Sequence, residues 1–315
     1  MRDAFIATIY ELSKKNKDIM VLVADNGALV FDQFRRDFPK QFLNCGIAEA
    51  NMMGFAAGLA AAGKKPFAYT ISNFMTMRAF EQIRNDICLQ RMNVKLVGIG
   101  GGFIYSTLGP THHATEDVAL MRALPNMVVI CPASPLEVRF ATQAIHALQG
   151  PVYLRLGTNG EPEIYEHAYD FRIGKGVELR SGTDCTIIVT GPLAHDVLIA
   201  HERLRKKGIN VRVVNLHTIK PIDIALIIKA ASETGGIITV ENHSIIGGLG
   251  SAVAETLLEK CGGNIAFKRL GINDKYCSDY GSYDELKECY GLDWKAIVNS
   301  VELLLKRNDK REVLV

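Results

Sequence analysis

The sequence predicts an α/β protein in which parallel sheets carry helices on both faces. Short runs rich in Val, Ile and Leu alternate with helix-length segments from one end of the chain to the other. Glycine gathers just after strand-like runs, as at Gly100-Gly101-Gly102 and at Gly191-Pro192. The stretch Asn44 to Gly63, NCGIAEANMMGFAAGLAAAG, is a helix of small apolar residues with a single carboxylate, Glu49, in its first turns.

In order, the pattern predicts a helix over 2–15, a strand over 19–24, the Glu49 helix over 47–62, a strand over 66–71 and a helix over 74–91. A strand over 93–99 leads into the glycine loop, followed by a helix over 115–123 and a strand over 127–131. Ser134-Pro135-Leu136-Glu137 has Ser at the N-cap, Pro at the first helical position and Glu at the third, a capping-box signature for a helix running to about 148. The strand Val152 to Leu156 closes a first domain over 1–160. Residues 161–182 lack periodicity and read as a linker. A second α/β domain over 183–315 follows, with strands over 185–190, 209–214 and 236–241, helices over 194–207, 221–232 and 251–261, and two short helices in 283–306.

Composition excludes several classes. A net charge of +2 with interspersed signs gives no case for nucleic acid or an anionic membrane. The seven cysteines are scattered with no CxxC pair, as expected of free thiols in a reducing cytoplasm. The start, MRDAFIATIYEL, is an amphipathic helix rather than a signal peptide. The longest apolar stretch, the Glu49 helix, is too short and too interrupted by Glu49 and Asn51 to cross a membrane. A cytoplasmic, soluble protein is expected.

Some residues invite a chemical reading. Glu49, among Ile47, Ala48, Met52 and Met53, is either a first-turn acid at the helix dipole or a working carboxyl whose pKa burial would raise. Phe74, at a strand–helix junction in YTISNF, is either core or a stacking platform. The loop from Gly100 to Gly109-Pro110-Thr111-His112-His113 lies where α/β proteins place ligands, and its histidines are either solvated or functional. Arg2 and Arg155 could be surface residues or anion grips. Glu241 and His243 lack metal-ligand spacing and are read as structural or interfacial; no metal site is assigned. Gly247-Gly248-Leu249-Gly250 does not fit a dinucleotide fingerprint.

These motifs together resemble the transketolase family, over residues 2 to 306. GIAE resembles its cofactor helix, GPTH with ALPNM its substrate loop, and GGLG its C-terminal domain. The resemblance implies a thiamine diphosphate-binding pyrimidine-type domain followed by a transketolase C-terminal domain. It assigns Glu49 to the cofactor's aminopyrimidine ring, Phe74 and Ile71 to cofactor binding, His112 to catalysis and substrate binding, and Arg2, Arg155 and His113 to the substrate side. Three polar sugar contacts of the family are replaced: Leu108 stands for its Asp, Gly100 for a histidine and Leu29 for a serine. The family's GDG motif for the diphosphate and Mg²⁺ is missing, Asp25-Asn26-Gly27 being the nearest text. The resemblance therefore implies the C-terminal subunit of a split transketolase. An N-terminal subunit would hold the diphosphate and Mg²⁺, and a second copy of this chain would complete an α2β2 heterotetramer. Transfer of a two-carbon ketol unit between sugars is the implied reaction. The alternatives are a 1-deoxyxylulose-5-phosphate synthase-like enzyme, a 2-oxoacid dehydrogenase β-type subunit, and a non-catalytic paralogue.

Overall fold

A computed structural model describes residues 1–27, 29–263 and 265–312, with side chains through residue 306. The amphipathic start folds as α1 (Arg2–Lys15), burying Ala4, Phe5, Thr8 and Ile9. Next come β1 (Ile19–Val23), α2 (Asp32–Asp37) and β2 (Phe42–Asn44). The Glu49 helix is α3 (Glu49–Ala61), and β3 (Lys65–Ile71) follows it. The segment expected as one helix over 74–91 is broken. Widened turns at Phe74–Arg78 and Ile83–Cys88 flank a single α-turn, α4 (Phe80–Gln82). Such turns recur at functional sites.

The first unit continues with β4 (Lys95–Ile99), α5 (Asp117–Ala123), β5 (Val128–Ile130), α6 (Pro135–Ala147) and β6 (Val152–Leu156). Ser134 caps α6 by accepting from the Glu137 amide, but the Glu137 carboxylate does not close the expected box. It accepts instead from the Ala133 amide and from the hydroxyls of Tyr165 and Tyr169. The stretch read as a linker is thereby fastened to the first unit, and it ends in a strand the sequence reading missed, β7 (Val177–Arg180).

The second unit holds β8 (Cys185–Val189), α7 (Ala194–Arg205), β9 (Val211–Asn215), β10 (Thr218–Lys220), α8 (Ile224–Glu233), β11 (Gly236–Ser244), α9 (Leu249–Cys261), β12 (Ala266–Ile272), α10 (Tyr283–Cys289) and α11 (Trp294–Glu312). Besides β7, the short elements α2, β2 and β10 and the strand β12 were not expected. β12 reads AFKRLGI, too mixed in polarity to signal a buried strand.

Among the described residues the strands form two sheets. The first has the order β10-β5-β6-β4-β3-β1-β2, the second β12-β11-β8-β9-β7. Pairing is parallel except for β10 on β5 and β7 on β9. β10 comes from the second half of the chain yet extends the first sheet, with Thr218 opposite Ile130. One apolar cluster runs through the junction, joining Leu22, Ala68 and Leu96 to Ile188, Val214, Ile237 and Leu249. On the far face of the first sheet, Phe67, Tyr69, Val97 and Ile99 pack with Phe5 and Ile9 of α1 and Val138 and Ile145 of α6. Parallel pairing brings the loops after β1, β3, β4 and β6 to one carboxyl edge, where this architecture places ligands.

Candidate active site

Glu49 opens α3, where a carboxylate suits the positive end of the helix. The approach is set by Asn44, whose side-chain oxygen accepts from the Asp25 and Gly46 amides at 3.0 Å each. Gly46 takes a left-handed φ of 71° that allows the tight turn into the helix. Met52 and Met53 are fully buried beneath Glu49, which is itself only 4% exposed. Ile47, expected beside it in the interior, is 76% exposed.

Among the described residues the carboxylate has one cationic partner. Nη1 of Arg78 donates to both oxygens, at 3.3 and 3.2 Å. The same guanidinium lies over the Phe74 ring, its carbon 3.9 Å from the centroid. The ring of His112 meets Phe74 edge-on at 5.2 Å. The Asn73 side chain donates to the Thr111 carbonyl at 2.6 Å, tying the turn after β3 to the glycine loop. Glu49, Phe74 and His112 are thus brought together, with Arg78 between the first two.

His113 lies on the same loop but is buried, and neither ring nitrogen has a hydrogen-bond partner among the described residues. Burial pushes its pKa down. Arg2 lies at the same carboxyl edge, with its Nε 3.2 Å from Asp3. It is near enough to Tyr105 for its charge to oppose the upward push that burial gives the phenol.

Two expected residues make other contacts than the Glu49, Phe74 and His112 group. Ile71 continues the row of Phe67 and Tyr69 and packs with the α1–α6 cluster, on the opposite sheet face from α3. Arg155 is buried and pinned. Its Nε donates to Asp117 at 2.8 Å, and its Nη2 donates to the carbonyls of Ala114 and Asn242, both at 2.9 Å. Tyr153 donates to the same Asp117 oxygen at 2.6 Å. Burial disfavours the Arg155 charge, but Asp117 outweighs it and holds the pKa above the usual arginine value. Through Nε and Nη2, Arg155 ties the loop before α5 to the end of β11. The glycine loop is explained by the same junction. A Cβ on Gly101 would lie 2.6 Å from the Arg155 Nε, and one on Gly100 would run into the Tyr105 ring.

Glu241 and His243 are fully buried beside this junction. Glu241 accepts from the Leu249 and Gly250 amides at 2.7 and 2.8 Å, capping α9, and Gly248 leaves room for that carboxylate. His243 Nε2 accepts from the Ala119 amide at 3.3 Å, so its Nδ1 carries the proton given to the Ser244 carbonyl at 2.7 Å. Among the described residues, no group of three or more His, Cys, Asp or Glu side chains could hold a metal ion. Nor is any described helix long and apolar enough to cross a membrane. Arg78, Asp117 and Asn242 were missed in the sequence. For Arg78 the available signal was its place one helical turn after Phe74.

Comparison with known proteins identifies both domains. Residues 1–159 match the transketolase pyrimidine-binding domain, and residues 174–297 match the transketolase C-terminal domain. A subunit of the apulose-4-phosphate transketolase of Phocaeicola vulgatus is 38% identical over 308 residues, covering 97% of each chain. A putative transketolase C-terminal section of Methanocaldococcus jannaschii is 42% identical over 310 residues, covering 98% of this chain and 96% of its own. A solved structure described as a split gene transketolase, inactive beta4 tetramer, superposes with a TM-score of 0.88 at 41% identity, covering 97% of both chains. With two-domain relatives of matching length and a buried acid–aromatic pair at the sheet edge, the chain belongs to the transketolase family, as the subunit type that carries the pyrimidine-binding and C-terminal domains.

Proposed function

We propose that this chain supplies the pyrimidine side of a thiamine diphosphate site, in a transketolase that moves a two-carbon ketol unit between sugars. The observation that carries the reading is the seat formed by Glu49 and Phe74. A buried carboxylate faces an aromatic ring, and a flat, nitrogen-rich group already fits between them. An aminopyrimidine has the same demands: a ring to stack on and a carboxyl to share a proton with. Bound thiamine diphosphate would supply the carbon nucleophile and the electron sink for ketol transfer. Glu49 would hold the proton shared with the ring, Phe74 would fix the ring plane, and His112, against Phe74, would exchange protons with the sugar oxygens. Arg2 would attract a sugar phosphate to the carboxyl edge, with His113 beneath the loop as a second polar group on the substrate side.

The diphosphate and Mg²⁺ are assigned to a partner subunit carrying the GDG motif absent here. The partner completes the site, and two copies of each chain form an α2β2 assembly in the cytoplasm. The exposed apolar residues Ile47, Phe55, Met77 and Leu89, on and beside α3, supply the surface for it. The sugar pair departs from that of an ordinary transketolase, because Leu108 and Gly100 offer no polar contact where the family has Asp and His.

Glu49→Gln tests this reading in the complex reconstituted with the partner. Exchange of the cofactor's acidic thiazolium proton, followed by NMR, is expected to fall by about 10²-fold or more. Exchange at the wild-type rate would remove Glu49 from the chemistry. Turnover of a ketose by this chain alone, given thiamine diphosphate and Mg²⁺, would overturn the division of the site between two subunits.

A further inference from the structure

We infer that Arg78 is a built-in placeholder for the cofactor ring: its guanidinium occupies the ring seat and must swing out before an aminopyrimidine can enter. The inference rests on the cofactor reading above and concerns what the seat does before the cofactor arrives. A guanidinium is planar, delocalised and rimmed with N–H donors. It satisfies the seat in both respects a pyrimidine would, lying 3.9 Å over the Phe74 ring and donating to both Glu49 oxygens. One nitrogen serves both oxygens while the guanidinium covers the Phe74 face, so a ring cannot stack on Phe74 and meet Glu49 until Arg78 leaves.

The surroundings allow the exchange. Glu49 is held in the interior, but the Arg78 side chain is 49% exposed and can turn into water without crossing packed core. It sits on the widened helical turn Phe74–Arg78 rather than on regular helix. It also lies beside Met77, in the exposed apolar region assigned to the partner interface. With the seat filled, a buried carboxylate is not left unpaired in the uncombined chain, a state that is strongly unfavourable. An ion pair with its cation half exposed, plus a cation–π contact, is a weak lock, equivalent to roughly three- to thirty-fold in affinity. A ring whose diphosphate is already anchored by a partner subunit enters at high effective concentration and can displace Arg78. The free ring finds the seat taken. Arg78 thereby makes ring binding depend on assembly.

The test is calorimetric titration of thiamine, which carries the ring but no diphosphate, into the chain alone. Thiamine diphosphate with Mg²⁺ is titrated in parallel into the complex with the partner. Arg78→Met and Arg78→Gln are compared with wild type after thermal melts confirm that each is folded. The variants are expected to bind thiamine three- to thirty-fold more tightly than wild type when alone, with a smaller gain in the complex. In wild type, the Arg78 side-chain Nε–H signal in a nitrogen-15 spectrum should start ring-shifted by Phe74 and move to the solvent-exposed position on saturation. This measurement needs no variant. Equal or weaker binding by both variants, or an Arg78 signal unmoved by saturating ligand, overturns the placeholder while leaving the cofactor site standing. No binding of thiamine diphosphate by any form, even in the complex, overturns the cofactor reading and the placeholder together.

Discussion

Arg155 shows how far a residue's chemistry can be read before its surroundings are known. In the sequence it is a cation near the end of a strand, a natural grip for an anion. In the fold it is buried, bound to Asp117 and two carbonyls across the junction. Arg155→Met would strand the Asp117 charge in the interior, so a loss of about 3–5 kcal/mol in urea unfolding is expected. Arg155→Lys should recover little of it, since one ammonium cannot reproduce the fork. A melt within a degree of wild type for Arg155→Met would show the pair to be dispensable. Glu49 was legible because a lone acid stands out in a helix of Ala, Gly and Met, where burying a charge costs too much to be incidental. The anchorage of Arg155 was not legible, because its partner lies 38 residues earlier in sequence and no local pattern marks the pair. Arg78 was overlooked for a different reason: an arginine one turn after an aromatic is ordinary in a surface helix. Only the burial of Glu49 across from it gives it meaning.

At the scale of elements, the end of β11, just before the turn into α9, holds two buried titratable groups with opposite tendencies. Burial pushes Glu241 up to about 7, against the pull of its two amide donors. The folded state therefore keeps a proton that the unfolded chain releases from about 4.5 upward, and this group's contribution to stability falls as pH rises to about 7. Burial pushes His243 down to about 4. The unfolded chain binds that proton below about 6.5 and the folded state does not, so its contribution grows as pH rises from about 4 to 6.5. The slopes oppose each other through the shared range. In Glu241→Gln the urea midpoint should climb with pH up to about 6.5 and then level, where wild type stays flatter below and declines toward 7. Identical profiles for the two proteins would disprove the assignment. At Gly248 a Cβ would meet the Glu241 carboxylate, so Gly248→Ala should cost about 1–3 kcal/mol in urea unfolding, through strain and a displaced cap. No loss in that measurement would show that the carboxylate can move aside freely. The GGLG run was visible as a motif, but its reason was not, because the carboxylate it accommodates belongs to the preceding strand. The long alternating elements were readable from apolar periodicity. The three-residue strands β2 and β10 were not, since so few residues carry no period.

At the scale of the whole molecule, the exposed apolar residues around α3 depart from a self-sufficient surface. Phe55 is 45% exposed on the face away from the core, so Phe55→Glu should leave the melt of the isolated chain within about 0.5 kcal/mol of wild type. The same change should abolish association in sedimentation velocity, with itself and with the partner. Unchanged association would move the interface off this helix. The two α/β units were clear in sequence, as was their order. What could not be read was that β10, encoded beyond the apparent boundary, pairs with β5 at the rim of the first sheet. That contact matters to anyone who would cut the chain. A fragment ending near residue 160 would present β5 as a bare, sticky margin of unpaired amides and carbonyls, with half an apolar cluster open beside it. The sequence is modular, but the folded object is not, and neither half would make a well-behaved minimal protein.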